Sequence, residues 1–371
     1  MDTRRTLAVL GFAAALVAAA VSAPAQLVAS RAADTLPARL TSAEFWRLSQ
    51  DSSEPNGSFR SDNLVSNELW FQYVIPDLLA RAPRGGVYVG VGPEQNFTFV
   101  AALKPEMVFI TDIRRGNLHM HLMYKALFEL TSSRADYVEL LFNKKRPDGL
   151  TAETSATDLI NAFWNINTSS EDVYKANLKR IQDHLTKTRG LPLDKDDLDG
   201  IEYVYWSFYW YGPAITYNSS SPNNGRGGGN FVSYGDLMIA TDGASVSRSY
   251  LASEASFRVL KDLHERNLFV PVVGNFGGPK ALRAVGQYVR EHGATIAAMY
   301  LSNVEQYLRQ DGIWGYFCGN VASMPLDEHS TFIRSSSSGG GGGPGGNLSN
   351  SLGSMLSETR GCGRPESLGV R

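Results

Sequence analysis

The chain has 371 residues, of which 43% are hydrophobic and 11% aromatic, enough to bury the core of one large domain or two ordinary ones. Lysine and arginine number 35 against 37 aspartates and glutamates. A balance this even excludes a broad electrostatic grip on nucleic acid or an anionic membrane, and directs attention to small-molecule or protein ligands.

The N-terminus has the pattern of an export signal. Arg4 and Arg5 precede the apolar run Leu7 to Val21, which ends in the small residues Ser22-Ala23-Pro24-Ala25, and cleavage after Ala25 is the preferred site. The string Thr3-Arg4-Arg5-Thr6-Leu7 also suits a twin-arginine signal, so the export route is left open between that and the general one. Either implies a periplasmic location. The apolar run is also close to the roughly 18–20 residues that span a bilayer, so stable membrane insertion requires only that the signal be retained. Two cysteines, Cys318 and Cys362, are too few for a disulfide framework, though one bridge is conceivable.

Residues 26 to about 58 read as a lead-in with a short helix around Ser42 to Leu48, ending in the turn Glu54-Pro55-Asn56-Gly57. Beyond it, apolar β-type runs alternate with helical periodicity, which marks an α/β fold with a mostly parallel sheet and helices on both faces. Gly86 to Val91 and Met107 to Ile113 are the first two strands, separated by a helix from Asn96 to Lys104 and followed by another from Asn117 to Leu130. Leu159 to Trp164, Val173 to Leu185 and the aromatic-rich Leu198 to Tyr211 read as helices of an insertion, about 132–245, covering one end of the sheet. The insertion also holds a Ser/Asn/Gly-rich loop from Asn218 to Asn230. Strands resume at Leu268 to Val273 and Thr295 to Leu301, joined by a helix from Pro279 to Glu291 that proline is suited to start. Ser330 to Arg334 is a last strand at the sheet edge, and 335–371, rich in serine and glycine, reads as disordered.

The stretch Gly90-Val91-Gly92-Pro93-Glu94-Gln95-Asn96 lies between a strand and a helix. Glycines there let backbone approach a ligand. About 20 residues on, Asp112 ends the next strand, where a carboxylate accepts two ribose hydroxyls. The dinucleotide fingerprint fails, because Gln95 stands at the third glycine and Glu94 already occupies the positive end of the helix, where it repels phosphate. A nucleoside without phosphates, or with a cationic tail, fits better.

The same stretch resembles class I S-adenosylmethionine-dependent methyltransferases, with Gly90 and Gly92 matching their first motif and Asp112 their second. The resemblance covers roughly 60–135 and 250–334 and implies a Rossmann-like, methyltransferase-type sheet with S-adenosylmethionine held by Gly90, Gly92, Glu94, Asn96, Asp112 and Arg115. Tyr88 stands where that family commonly has an acidic residue. The strings FRSDNLVSNE, GVGPEQNFTF and GNFGGPKALRAVG also look like those of an uncharacterised bacterial family.

Ligands of open α/β sheets bind beyond the carboxyl ends of the strands. Arg60, Asp62, Asn63 and Glu68 are therefore candidate substrate-binding residues, and Asn275, Lys280, Asn303 and Glu305 candidate catalytic ones, with Glu305 the general base. A structural alternative stands beside each cluster: Ser61 or Asp62, Asn275 and Asn303 as helix caps, and an arginine of Arg114-Arg115 paired with Asp112. No metal site is expected, since His119 and His121, two apart on a helix, point apart. The leading reading is a methyltransferase-like protein that binds a nucleoside-type or other small ligand. Its alternatives are a non-catalytic exported binding or scaffold protein, and a hydrolase or isomerase using Glu305 and Asp62.

Overall fold

The computed structural model describes residues 35–82, 85–217, 231–337 and 348–362. The expected export signal, the loop 218–230 and the glycine run after Ser338 lie outside the described residues.

The lead-in is a helix, α1 (Ser42–Ser52), started by a reciprocal capping box between Thr41 and Glu44. It docks along the sheet, and Ser49 Oγ donates to the Pro271 carbonyl at 2.6 Å. Next come α2 (Ile75–Arg81), β1 (Val87–Gly90), α3 (Gln95–Leu103), β2 (Met107–Asp112) and α4 (Arg115–Leu130). The insertion follows as α5 (Arg134–Phe142), α6 (Ala156–Trp164), α7 (Glu171–Asp183), α8 (Lys195–Tyr211) and α9 (Tyr234–Ile239). The chain returns through α10 (Glu254–Glu265), β3 (Phe269–Val273), α11 (Ala281–Glu291) and β4 (Ile296–Ser302). It then runs through α12 (Val304–Gln310), α13 (Trp314–Ala322), β5 (Thr331–Ser337), β6 (Leu348–Ser354) and α14 (Met355–Glu358).

These strands form one six-stranded sheet in the order β3-β2-β1-β4-β5-β6. The first five are parallel, and β6 runs antiparallel to β5. Strands β1, β2 and β3 are buried throughout, as continuous apolar runs in a parallel sheet must be when both faces are covered. Register shows the two covers. Val108 pairs with Phe269 and Phe109 with Val270, so Phe109 and Phe269 point to opposite faces. The Phe109 ring meets Tyr288 of α11, whereas Phe269 meets Phe97 of α3, His121 of α4 and His264 of α10.

Helix α4 is buried without a break from Asn117 to Phe128. A helix enclosed all round needs a second layer outside it, and the insertion supplies one: α8 packs along α4, flanked by α5 and α7. The insertion therefore chiefly covers a helix, and α8 also reaches the carboxyl edge of the sheet through Asp197 and Tyr203. Pro279 does not start α11, which begins two residues later at Ala281.

The expectation of a disordered C-terminus is overturned for residues 348–362, which form β6, α14 and a closing turn that ends at Cys362. Thr331 to Ser337 pairs residue by residue with Ser354 back to Leu348, Met355 is fully buried, and Cys362 is bonded to Cys318 of α13. Composition averaged over the tail hides this short segment, whose apolar residues and cysteine anchor it. No described helix is long and apolar enough to cross a membrane.

Candidate functional site

The turn after β1 is built around Asn96. Its Oδ1 accepts from Tyr88 OH at 2.9 Å, and its Nδ2 donates to the carbonyls of Val91 at 2.9 Å and Pro93 at 2.7 Å. A Cβ on Gly90 would lie 2.0 Å from that Oδ1 and 2.9 Å from the Tyr88 ring. Gly90 thus makes room for Asn96, not for a ligand, and both Nδ2 protons of Asn96 are taken up within the turn. Gly92 differs: its φ is +77°, and although it is buried, a Cβ there would meet nothing within 4 Å. Its carbonyl accepts from His121 Nε2 at 2.9 Å. Glu94 is fully buried, with Oε1 on the Ser66 amide at 3.3 Å and Oε2 without a partner. Burial pushes its carboxyl up to about 8, outweighing the hydrogen bonds from its own and the Ser66 amide.

Asp112 ends β2 as expected, but its carboxylate is held by Arg114. Oδ1 accepts from the Arg114 amide at 2.9 Å and Nε at 3.1 Å, and Oδ2 accepts from the guanidinium at 3.3 Å. The same arginine also donates to the Asp62 carbonyl. Arg115, the cofactor candidate, points elsewhere. Residue 114 is extended and its side chain folds back on β2, whereas Arg115 begins α4 and grips Asp197 of α8 at 2.8 and 3.0 Å. His119 Nε2 joins Asp197 at 2.9 Å. Burial would raise the Asp197 carboxyl, but the bonds from His119 and Arg115 prevail and hold it far below the usual carboxylate range. His119 and His121 do point apart, one to α8 and the other to Gly92.

Residues 53–68 form a strap along the carboxyl edge, following the order of the strands. At β3 the Glu54 amide donates to the Val273 carbonyl at 2.7 Å, and the Glu54 carboxylate accepts from the amides of Asn275 at 3.1 Å, Lys280 at 2.8 Å and Ala281 at 2.9 Å. A carboxylate suits this helix start because it takes the free amides at the positive end of α11. A Cβ on Gly278 would stand 2.3 Å from the Glu54 carboxylate, so the glycine loop is shaped around it. At β2, the Gly57 amide donates to the Ile113 carbonyl at 2.8 Å, and Asp62 meets Arg114. At β1, Ser66 meets Glu94. At β4, β5 and β6, buried Glu68 collects Tyr300 OH at 2.6 Å, Ser302 Oγ at 2.5 Å, Asn350 Nδ2 at 3.0 Å, Gln95 Nε2 at 3.1 Å and Ser335 Oγ.

The candidate clusters therefore do converge on one edge, but most of their side chains are engaged within the chain. Asn275 Oδ1 accepts from the Gly277 amide at 2.9 Å, and Lys280 Nζ donates to the Ser53 carbonyl at 2.9 Å. Arg60 reaches Tyr307 OH at 2.6 Å, Asp62 Oδ2 accepts from Tyr203 OH at 2.6 Å, and Asn63 takes a left-handed φ of 45°. Asn303 stands at the start of α12 without a side-chain capping bond. Glu305 carries an ion pair to Arg334 Nε at 2.5 Å and accepts from Trp314 Nε1 at 3.3 Å, which is not the setting of a free general base. Arg114, one of the two arginines expected to pair with Asp112, is the one that does so. Glu54, Asp197, Tyr300 and Asn350 also belong to the edge, and no sequence signal marks them. Among the described residues no cluster of histidine, cysteine and carboxylate ligands could hold a metal.

No curated protein matches the chain. It belongs to the family described as a domain of unknown function, DUF7790, whose model matches residues 62–192 and 232–350, more than half of the chain.

Proposed function

We propose that this chain is a non-catalytic binding or scaffold protein, built on a Rossmann-like sheet of methyltransferase type and working outside the cytoplasm. The strand order, which runs outward in both directions from β1 and β4, supports the Rossmann-like assignment. The Cys318–Cys362 disulfide supports an oxidising compartment and hence export.

One observation carries the non-catalytic reading: the groups suited to a cofactor at the carboxyl edge are bonded to the strap and its neighbours. S-adenosylmethionine does not fit the residues present. Its ribose hydroxyls would need the Asp112 carboxylate, which Arg114 holds on both oxygens, and its approach to the first glycine meets the Asn96 side chain. The groups proposed for proton transfer are similarly tied, Glu305 to Arg334 and Lys280 to Ser53.

Calorimetry on the folded full chain with S-adenosylmethionine and with its demethylated product tests this reading. Neither should give saturable heat. A saturable isotherm with either overturns the reading, and methyl transfer to any acceptor would restore the catalytic one.

A further inference from the structure

Asn117, His121 and Tyr124 stand at i, i+4 and i+7 of α4, so they share one stripe of that helix. All three are essentially buried, and each has an atom with no hydrogen-bond partner: Asn117 Nδ2, His121 Nδ1 and Tyr124 OH. Buried polar atoms are almost always paired, because leaving one bare costs its full desolvation. Three along one stripe call for a common explanation.

The stripe faces the turn after β1. His121 Nε2 bonds the Gly92 carbonyl, and the Phe97 ring, in the first turns of α3, touches the rings of both His121 and Tyr124. Glu94 lies in the same turn and adds a fourth bare atom, Oε2. Gly92 leaves space beside the turn: it is buried, yet a Cβ on it would meet no atom within 4 Å apart from those of its chain neighbours.

From these groups we infer a buried binding site between the β1–α3 turn and α4 for a small uncharged molecule carrying both hydrogen-bond donors and acceptors, an amide or a nitrogen heterocycle. A carbonyl can only accept, so His121 Nε2 carries the proton and Nδ1 presents a bare lone pair. Asn117 Nδ2 is a donor, and the Tyr124 hydroxyl can serve in either role. Burial pushes His121 down to about 4 and Glu94 up to about 8, so at neutral pH the imidazole is uncharged and the carboxyl is mostly a protonated donor. An anionic ligand would lose its hydration here without gaining a counter-ion.

This proposal rests on reading the chain as a binding protein and adds the chemistry of what it binds. Nicotinamide and nicotinate, nearly equal in shape and differing in charge, are the probes. Calorimetry on the full chain should give saturable binding of nicotinamide and none of nicotinate. Tyr124→Phe removes one unpartnered hydroxyl, so the fold should keep its melting temperature while nicotinamide binds about tenfold more weakly. No nicotinamide binding, equal binding of nicotinate, or unchanged affinity in the variant overturns the site. The two proposals fail separately: heat with S-adenosylmethionine defeats the non-catalytic reading whatever nicotinamide does, and silent nicotinamide defeats only this site.

Discussion

Asn96 decides what the glycine turn is for. Its amide serves Tyr88, Val91 and Pro93, and its oxygen occupies the place of a Gly90 side chain. Gly90→Ala should therefore destabilise the protein by about 2–3 kcal/mol through overpacking. Asn96→Ala should cost roughly 3 kcal/mol by stranding the buried Tyr88 hydroxyl and two turn carbonyls. The double variant should lose clearly less than the sum, because the alanine methyl then enters space the asparagine has left. Urea midpoints of the four proteins measure this, and simple additivity would show that the two residues do not compete for the space. Glu94 makes a second prediction. Its folded carboxyl is raised from 4.5 to about 8, so the folded state binds the proton more tightly, and the associated stability is complete below the unfolded value and lost as pH rises toward 8. His121, lowered from 6.5 to about 4, works the other way, losing stability as pH falls below 6.5. Above pH 6.5 only Glu94 of the pair still titrates, so the protein should weaken between pH 6.5 and 8, and Glu94→Gln should flatten that slope. Denaturation at the two pH values checks it, and an equal slope in the variant would refute the assignment.

At the scale of elements, the β-strands in the parallel part of the sheet were legible because strands buried on both faces read as apolar runs between turn residues. Their pairing partners at the carboxyl edge were not. Glu54 sits in a sequence that reads as an ordinary turn, and nothing local announces that it caps α11 more than two hundred residues later. Arg114 and Arg115 are indistinguishable by type. Which one turns back to Asp112 is fixed by where α4 begins, and helix ends are the least certain feature of a sequence reading. Strand β6 was lost for another reason: serine and glycine dominate its composition, while its order comes from pairing with β5, the Asn350–Glu68 bond and the disulfide. Cys318→Ser should accordingly lower stability by roughly 2–4 kcal/mol, the range for closing a loop of this size. Amide exchange of 348–362 should also speed up more than that of β1 and β2. Unchanged exchange there would mean that β6 is held without the bridge.

For the whole molecule, the residues singled out at the carboxyl edge did gather there, because a parallel sheet brings successive strand ends and their loops to one side. What the sequence left open was whether they would face a ligand or each other. The strap answers for most of them: running from β3 to β6, it gives Glu54 to the α11 turn, Asp62 to Arg114, Ser66 to Glu94 and Glu68 to Tyr300 and Ser302. Around Gly92, by contrast, the buried atoms Glu94 Oε2, Asn117 Nδ2, His121 Nδ1 and Tyr124 OH stay unpaired. Residue-resolved hydrogen exchange on the full chain tests the strap most directly. The amides of Glu54, Gly57 and Ser66, bonded to Val273, Ile113 and Glu94, and those of Asn275, Lys280 and Ala281, bonded to Glu54, should exchange at least about 100-fold more slowly than unprotected peptide. Glu54→Ala should release the last three. Exchange of all six at unprotected rates in the wild-type protein would contradict the account, leaving the carboxyl edge open for a cofactor.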